Sequence, residues 1–537
     1  MTFRDGTLVD WHEWGPDPFE AADRTGKPVL CSLTAPWCEW CHRMDEETYS
    51  DPKLAANIGD SFVPVRVDID RNPRVRERYN MGGFPTTVFL TPDGEVLSGA
   101  TYLGLDGMRQ VLDSVRESWD AKGATAGSVP RALSGEALPS GEVTADIEAH
   151  MVEQVAAAFD EEFGGWGTGA KFPLPQTIEF ALKRDRQRAK RTLEAVQTHL
   201  YDTYDGGFYR FAENRSWGEP HREKLTDENA ALLGAFTSGY LYTGEESYHN
   251  AAEGTVDYLT TTAWTGEAFA ASQADSDYYL LEPTDREEAD PPHVDTTVFA
   301  DRNGMAAEAL FRFAAVTDHE GATRYAERAL EFILDTLVDD GHITHFDGED
   351  SETGLLADHA RVLSGLTAAA QVTGPDGWLA PAREVADDAI DRLVDDGAFL
   401  DGDPKGAGLL DRPLRPLETN AEMADALLDL WALTDEDRYR TAATDALGSF
   451  AGAYDRMGVE VAGYAAASAR AHYDPLVVRT PAAGTDLHRA ALRIADHEKV
   501  VVPGDRENAV VVRSGTETVP AETPDELLER ASEGPSP

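Results

Sequence analysis

Cysteine is scarce in this 537-residue chain, which contains only Cys31, Cys38 and Cys41. That number excludes a disulfide framework of the kind that holds small secreted proteins together. The chain also lacks an apolar run near the ~20 residues that a membrane helix requires. Its first residues, Met-Thr-Phe-Arg-Asp-Gly, lack the apolar region of a signal peptide. Together these absences predict a cytoplasmic protein.

Lysine is the second scarce residue, with nine of the 47 basic side chains, whereas acidic residues number 98. The formal charge is therefore 47 − 98 = −51. A surface this acidic repels nucleic acid and anionic membranes, so neither is an expected partner. Because the acids are spread along the whole chain, the pattern predicts a halophilic protein, for which a Debye length of ~3 Å in 1 M salt screens the repulsion.

The first 120 residues alternate short apolar runs with helical stretches. Their order, β, α, β, α, β, β, α, is typical of a thioredoxin-like domain, which we place at residues 1–121. The predicted elements with assigned positions are strands at 27–33, 62–69, 86–91 and 95–97, a helix from residue 39 and a helix at 106–119.

Cys38 and Cys41 follow the first of these strands in the sequence APWCEWCH. The loop Gly83-Phe-Pro-Thr86 lies 85 − 38 = 47 residues beyond Cys38, where thioredoxin-like proteins carry a cis-proline. We therefore predict a catalytic site of Cys38, Cys41 and a cis Pro85. Cys38 is expected to cap the helix as a partly exposed thiol, with Cys41 shielded one turn inside.

Zinc is the alternative, with Cys38, Cys41 and His42 as ligands. A structural zinc site needs a fourth ligand and commonly a second cysteine pair, so we predict no metal and no cofactor. Cys31 lies within the strand and is predicted to be a small buried hydrophobe. Ser32 stands where classical thioredoxins carry a buried acid, and the carboxylate of Glu39 disfavours a Cys38 thiolate.

Residues 122–143 are rich in Gly, Ala, Ser and Pro and predict a linker. Residues 144–474 then repeat helix pairs at a spacing near 50 residues, which predicts six α-hairpins closed into an (α/α)₆ toroid. Residues 475–537 predict a small α/β segment whose last residues, 533–537, should fray. The fold class is thus multidomain, α/β followed by all-α. The helices predicted in the toroid are 145–158, 176–203, 226–242, 246–263, 302–317, 321–338, 355–372, 378–395, 419–433, 436–453 and 461–471.

The loops of the helical region carry long motifs. They include FDEEFGGWG from Phe159, AKFP from Ala170, YDGGFYRF from Tyr204, WGEPHREK from Trp217 and ADSD from Ala274. With WCEWCH, these resemble the family of spermatogenesis-associated protein 20 and the proteins of domain of unknown function 255. That resemblance implies a thioredoxin-like domain joined to a barrel related to six-hairpin glycosidases and N-acylglucosamine epimerases. The chain departs from the family at Glu39, where relatives have His, at Pro220–Leu225, and in a short acidic segment at 280–294.

The resemblance also implies a barrel cavity that binds a sugar. Glycoside hydrolysis would need two carboxylates about 5–9.5 Å apart, and epimerisation a base and an acid, usually His. Glu223, Asp227 and Glu228 alternatively form a solvated acidic face or a helix N-terminus, and the Gly-Gly pairs at 164 and 206 simply terminate helices. The candidates for the cavity wall are Lys171, Phe172, Arg210, Trp217, His221, Glu223, Lys224, Asp227, Asp275, Asp277, Asp358, His359 and Glu418.

Three functions follow as hypotheses. The leading one is a thiol-disulfide oxidoreductase or redox sensor, coupled to a barrel that binds a carbohydrate or a protein partner. The second is an epimerase-like or hydrolase-like barrel on which the thioredoxin-like domain is a scaffold. The third is a non-catalytic interaction protein. The expected partners are a protein disulfide or a small-molecule or carbohydrate ligand, and the oligomeric state stays open.

Overall fold

The computed structural model describes residues 6–532, so the predicted fraying of 533–537 falls outside the described residues. The fold has two compact units, Met1–Ala137 with Leu400–Leu414, and Leu138–Phe399 with Arg415–Pro537. The domain boundaries stay a prediction. Residues 400–414 belong to the first unit, whereas the sequence placed them in the toroid.

The first unit is thioredoxin-like, as predicted. Its five strands are ordered β1-β3-β2-β4-β5, with β1, β3 and β2 parallel and β4 and β5 antiparallel to their neighbours. Strand β2 is buried along its whole length because sheet neighbours flank both its edges and helices cover the faces. The elements are β1 (His12–Glu13), α1 (Pro16–Thr25), β2 (Val29–Thr34), α2 (Glu39–Met44), a π-helix (Asp45–Tyr49), α3 (Pro52–Ser61), β3 (Val63–Asp68), α4 (Pro73–Tyr79), β4 (Thr86–Leu90), β5 (Val96–Ala100) and α5 (Leu105–Lys122).

A distant segment, 400–414, completes this unit. The Arg78 guanidinium is fully buried and donates to both carboxylate oxygens of Asp401, at 2.5 and 3.2 Å. Arg74 also donates to Asp401, and the Tyr79 hydroxyl accepts from the backbone N–H of Leu409 at 2.8 Å. An isolated guanidinium could not be buried at this depth, so Asp401 is the group that makes the contact stable.

The second unit is an (α/α)₆ toroid. Six inner helices contact one another in a closed ring in the order α7, α9, α12, α14, α16, α18, and each has an outer helix beside it, in the order α8, α10, α13, α15, α17, α6. The helices are α6 (Ala145–Ala158), α7 (Pro175–Arg184), α8 (Arg186–Leu200), α9 (Thr226–Thr243), α10 (Glu246–Thr261), α11 (Pro283–Arg286), α12 (Ala300–Thr317), α13 (Glu320–Thr336), α14 (Leu356–Thr373), α15 (Leu379–Leu393), α16 (Leu417–Thr434), α17 (Asp437–Gly448) and α18 (Ala462–Tyr473).

One predicted helix, 176–203, is two helices. The chain breaks at Asp185, whose backbone leaves helical geometry and whose carboxylate caps α8 by accepting from Arg188 N–H. This break supplies the twelfth helix of the toroid. Short strands in the loops before the inner helices are β6 (Phe211–Ala212), β7 (Pro220–His221), β8 (Lys224–Leu225), β9 (Ser272–Gln273), β10 (Val294–Asp295), β11 (Val338–Asp339), β12 (His342–Ile343), β13 (Val394–Asp395) and β14 (Ala398–Phe399).

The carboxy-terminal residues of the second unit form a four-stranded sheet in the order β16-β15-β17-β18. Its elements are β15 (Val477–Thr480), α19 (Asp486–Leu492), β16 (Val500–Pro503), β17 (Val510–Arg513), β18 (Thr516–Glu517) and α20 (Pro524–Ser532). Among residues 6–532, none of the helices is long and apolar enough to cross a membrane.

Candidate functional site

The Cys38–Cys41 pair lies at the start of α2, directly after the buried strand β2. Cys38 is the N-cap residue, and its sulfur accepts a hydrogen bond from the backbone N–H of Cys41 at 3.2 Å. The two cysteines form a disulfide, with their Cα atoms 5.3 Å apart. A helix N-terminus favours negative charge, so the same position favours a thiolate on Cys38 when the disulfide is reduced.

The predicted exposure of Cys38 is wrong. Cys38 is 5% exposed and Cys41 2% exposed, so both sulfurs are shielded. The reason is the segment from Ala35 to Cys41, in which only Glu39 is exposed while Trp37 is buried and Trp40 half-buried. Little of the Cys38 surface is therefore open to a substrate in this conformation.

The peptide bond between Phe84 and Pro85 is cis, as predicted. Strand pairing sets Thr86 opposite Leu33, so the proline loop lies at the end of β2 from which the cysteine segment departs. The Phe84 and Trp37 rings meet edge to face with centroids 6.3 Å apart. Contact between Pro85 and the sulfurs stays a prediction.

A buried carboxylate that the sequence analysis missed lies one helical turn beyond Cys41. Asp45 is buried and forms an ion pair with Arg66, and burial raises the pKa of the Asp45 carboxyl against the opposing effect of that guanidinium. The position of the classical buried acid is held by Ser32, which is buried. The four-residue spacing from Cys41 is the signal that indicates a shared helix face.

The third cysteine, Cys31, is a free, fully buried thiol, and burial raises its pKa. Its predicted role as a small hydrophobe is confirmed. The zinc alternative requires two thiolates, whereas Cys38 and Cys41 are bonded to each other.

Two of the loop motifs build the same turn. Lys171 is fully buried and donates to Asp160 at 3.0 Å, and Lys224 is fully buried and donates to Asp202 at 2.8 Å. Each aspartate also accepts backbone N–H groups of its own loop. Lys171 and Lys224 therefore hold loops together, since both ammonium groups are enclosed by protein acceptors.

The Gly-Gly pairs belong to these turns, so the alternative interpretation, in which they terminate helices, is wrong. Helices α6 and α8 end at Ala158 and Leu200, six residues before Gly164 and Gly206. All four glycines of the two pairs have φ between 70° and 74°, a left-handed conformation that side chains disfavour. Gly206 also approaches Gly254 so closely that a Cβ would lie 2.1 Å from the Gly254 carbonyl oxygen.

His359 has a structural counterpart on other inner helices. Asn229, Asn303 and Asn420 are each the fourth residue of an inner helix, and each donates to the carbonyl oxygen four residues earlier and to a loop carbonyl. His359 occupies this position on α14, where its Nδ1 lies 2.8 Å from the Leu355 oxygen. Its Nε2 lies 3.0 Å from Asp388 of α15, so Nδ1 bonds to the start of its own helix and Nε2 joins the inner helix to the outer one.

Acidic residues converge near the start of α9, at the end of the toroid where the inner helices begin. Arg210 forms ion pairs with Glu223 and Glu228, both at 3.3 Å. Burial raises the pKa of Glu223, and burial raises the pKa of Glu228 to about 8 despite the pairing with Arg210. One Glu228 oxygen is buried without a hydrogen-bond partner. This raised pKa favours the protonated carboxyl of Glu228 near neutral pH, which is the form that a general acid requires.

A second group lies at the start of α12 and α14. His345 places Nδ1 2.9 Å from Asp358, and Arg361 donates to Asp301 at 2.8 Å. Burial raises the pKa of Asp358, whereas Arg361, His345 and Arg302 overcome the effect of burial at Asp301 and lower its pKa. Arg361 lies in a helix and His345 in the loop before it. Both were missing from the sequence-based candidates because neither belongs to the loop motifs quoted above.

The other sequence candidates lie in loops before the inner helices or at a helix start. Phe172 is exposed and stacks on Phe211, with ring centroids 4.6 Å apart. His221 also stacks on Phe211, with ring centroids 4.2 Å apart. Asp275 accepts from the backbone N–H of Arg222. The remaining positions are Trp217, which is buried, Asp227, which is half-buried at the start of α9, and Asp277 and Glu418, which are exposed.

A cavity of about 280 Å³ lies along the inward faces of the six inner helices. Its wall is formed by helix residues rather than by any of the thirteen loop and helix-start candidates, which lie before those faces. At the end where the inner helices finish, residues of the carboxy-terminal segment, among them Leu492, Lys499 and Val501, contribute to the wall. The charged side chains in it are Glu179, Glu308, Arg312, Arg361, Glu422, Asp425, Asp429, Arg470, His497, Glu498 and Lys499.

Two side-chain groups among the described residues have the composition of metal ligands. They are His342 with His359 and Asp388, and Asp301 with His345 and Asp358. Arg392 pairs with Asp388 and Arg361 with Asp301, so a cation already neutralises each group. Protein ion pairs account for both.

Comparison with known proteins places the amino-terminal part of the chain. Residues 4–134 match the family model described as "Protein of unknown function, DUF255". The chain is 29% identical over 307 residues to human spermatogenesis-associated protein 20, which covers 50% of this chain and 39% of that protein. The predicted family resemblance is confirmed. The chain spans less than half the length of these spermatogenesis-associated protein 20 relatives.

A bacterial relative and a solved structure are also similar to parts of the chain. The thiol:disulfide interchange protein DsbD of Yersinia pestis is 26% identical over 101 residues, 18% of this chain and 17% of that protein. Cellobiose 2-epimerase from Spirochaeta thermophila is 17% identical with a TM-score of 0.46, covering 56% of this chain and 82% of its own. The toroid itself is defined by the contacts among its own twelve helices.

Proposed function

We propose that the chain is a thiol-disulfide oxidoreductase or redox sensor that acts through Cys38 and Cys41. The observation that carries this proposal is a disulfide at the N-terminus of α2, directly after a central strand and beside a cis-proline loop. In the reduced protein, the Cys38 thiolate attacks a substrate disulfide and forms a mixed disulfide with release of one substrate thiolate. Cys41 then attacks Cys38, which releases the second thiolate and leaves the Cys38–Cys41 disulfide.

Local structure favours Cys38 as the attacking group. Its sulfur receives the Cys41 N–H, and the helix dipole adds to that stabilisation of a thiolate. Glu39, the next residue, opposes it with a negative charge in the first turn. The low exposure of both cysteines favours a restricted set of partners.

Reduction of an insulin-type disulfide substrate in molar salt tests the proposal, with dithiothreitol as the reductant that regenerates the Cys38–Cys41 dithiol after each cycle. Cys38→Ser is expected to abolish turnover, and Cys31→Ser, which changes only the fully buried thiol, is the matched control. Equal rates for the wild type and Cys38→Ser would remove the support for catalysis at this pair.

A second candidate function is a carbohydrate-active barrel, because the inner helices line a cavity and carboxyls whose pKa values are shifted in opposite directions lie at the starts of those helices. Glu228, whose raised pKa favours the protonated form near neutral pH, would donate a proton to a sugar oxygen. Asp301, whose pKa is lowered, would accept one. These residues start neighbouring inner helices.

A thermal-shift screen with a sugar library tests this second function in both the wild type and Cys38→Ser. A ligand at 100 times its Kd adds ~2.7 kcal/mol of stability, which is readily measured. Binding is expected to survive Cys38→Ser. Glu228→Gln is expected to retain binding and lose turnover, and the absence of any stabilising sugar would count against the barrel as a carbohydrate site.

A further inference from the structure

The wall of the toroid cavity repeats one ionic arrangement. Arg312 of α12 pairs with Glu179 of α7 and, at 3.5 Å, with Glu308 of its own helix. Arg470 of α18 pairs with Asp425 and Asp429 of α16. In each case two carboxylates share one guanidinium.

This arrangement leaves the cavity short of positive charge. The four carboxyls and two guanidinium groups carry 2 − 4 = −2 when all are ionised. Burial, helped by the charges of Glu179, Asp429 and Asp425, raises the pKa of Glu308 to about 7 against the opposing effect of Arg312. Burial also raises the pKa of Asp429. Unbalanced negative charge in a poorly solvated site is stabilised by a proton or by a bound cation.

The other charged groups of the wall do not supply the missing charge. Glu498 is paired with Arg184 and Lys183, which lie outside the cavity wall. Arg361 is shared between Asp301 and Glu422, which repeats the same ratio of two carboxylates to one guanidinium. Lys499 donates to the Asp496 carbonyl oxygen and is the one further ammonium group in the wall, while burial lowers the pKa of His497. Six carboxyls of the wall therefore face four Arg and Lys side chains, which leaves an excess of negative charge when all of them are ionised.

The cavity also holds hydrogen-bonding groups suited to hydroxyls. Thr237 on α9 is 3% exposed, and its hydroxyl has no hydrogen-bond partner. A buried hydroxyl without a partner is costly, so Thr237 brings to the cavity wall a polar group that no protein atom satisfies. Ser238, Ser364 and Gln371 lie in the same wall. Glu308 keeps 34% of its side-chain surface open, although it lies deep in the toroid, because that surface faces the cavity.

We propose that this cavity binds a small organic cation that carries hydroxyl groups, of the amino-sugar class, with its ammonium group at Glu308. The volume of about 280 Å³ lies near the lower end of small-molecule pockets and suits a single sugar ring. The proposal rests on the second proposed function, carbohydrate binding by the barrel. It adds that the bound sugar is positively charged and that it lies in the cavity beside Glu308.

Isothermal titration calorimetry of the full chain in molar salt tests it, with glucosamine as probe and glucose as the neutral ligand of matched size. Glucosamine is expected to bind at least about tenfold more tightly than glucose, as one well-placed charge-assisted hydrogen bond allows. Glu308→Gln is expected to abolish that preference, and Thr237→Val to weaken both ligands several-fold. Glu331→Gln, an exposed site on α13, is the matched control and should change nothing.

The outcomes separate this inference from the function beneath it. Equal affinity for glucose and glucosamine overturns the cationic preference and keeps carbohydrate binding. Binding of neither probe, nor of any sugar in the screen, overturns both. Tight glucosamine binding that Glu308→Gln leaves unchanged places the ligand elsewhere and overturns the site. Circular dichroism of each variant confirms that its helices are intact.

Discussion

Asn303 on α12 and His359 on α14 occupy the same position in successive repeats of the toroid. Each is the fourth residue of its inner helix, fully buried, and bonded to the carbonyl oxygen four residues earlier. Asn303 additionally accepts from Phe269 N–H and donates to the Phe269 oxygen. This side chain therefore ties the start of an inner helix to the loop that precedes it.

Asn303→Ala is expected to lower the free energy of unfolding by about 3 kcal/mol, because it leaves the N–H group and the carbonyl oxygen of Phe269 buried without a partner. Chemical denaturation in molar salt measures the change. Asn250→Ala, at an exposed site on α10, is the control and should stay within about 0.5 kcal/mol of the wild type. A similar loss of stability in both variants would show that the hydrogen bonds between Asn303 and Phe269 do not stabilise the fold.

Asp401→Asn is expected to destabilise the first compact unit by about 3 kcal/mol, since it leaves the Arg78 guanidinium buried and without a counter-charge. Tryptophan fluorescence during denaturation measures it. Asp403→Asn, which alters an exposed pair with Lys405, should cost less than about 1 kcal/mol. If Asp401→Asn behaves like Asp403→Asn, segment 400–414 is not held by this ion pair.

Glu39→His is expected to lower the pKa of the Cys38 thiol by about half a unit, because it removes a negative charge next to the nascent thiolate. The rate of alkylation against pH, measured in a Cys41→Ser background, gives the pKa. The difference should shrink as salt rises, since the charges are screened. Glu46→His, farther along the same segment, should leave the pKa unchanged, and a rise in the pKa for Glu39→His contradicts the electrostatic argument.

The raised pKa of Glu308 predicts that the folded protein loses stability as the pH rises. Its folded-state pKa of about 7 exceeds the ordinary value of 4.5, so the folded state holds the proton more tightly. Wild-type stability from this group falls as pH rises from 4.5 through 7 and is constant above. Glu308→Gln removes that dependence. Between pH 5 and pH 8 the free energy of unfolding of Glu308→Gln should rise by about 1–2 kcal/mol relative to the wild type, after discounting for water in the cavity. If the difference between the two proteins stays constant over this pH range, the pKa of Glu308 is not raised.

Much of the architecture was predictable from the sequence because hydrophobic periodicity determines where helices and strands begin. Helix α6 matches its predicted bounds, and the strands that flank the cysteines lie within a few residues of theirs. The break at Asp185 was missed because the residues around it, KRDRQRAK, include no glycine or proline. The aspartate acts through a capping bond that apolar spacing does not report.

The site was predicted less well than the fold. Motif spacing located Cys38, Cys41 and the cis Pro85, but the motifs around Lys171 and Lys224 serve the loops themselves. The cavity residues Arg312 and Arg470 lie within otherwise apolar helical runs, FRFAAV and AAASARAH. A single charge in such a run is the signal that could have found them. Whether such a side chain points into the cavity depends on how the six inner helices close into a ring.

The carboxy-terminal segment contributes Leu492, Lys499 and Val501 to the cavity wall at the end where the inner helices finish. The cavity is thus built from two parts of the second unit, the ring of inner helices and the small sheet segment that follows it in the chain. A substitution in the carboxy-terminal segment can therefore alter the cavity while every inner helix keeps its sequence.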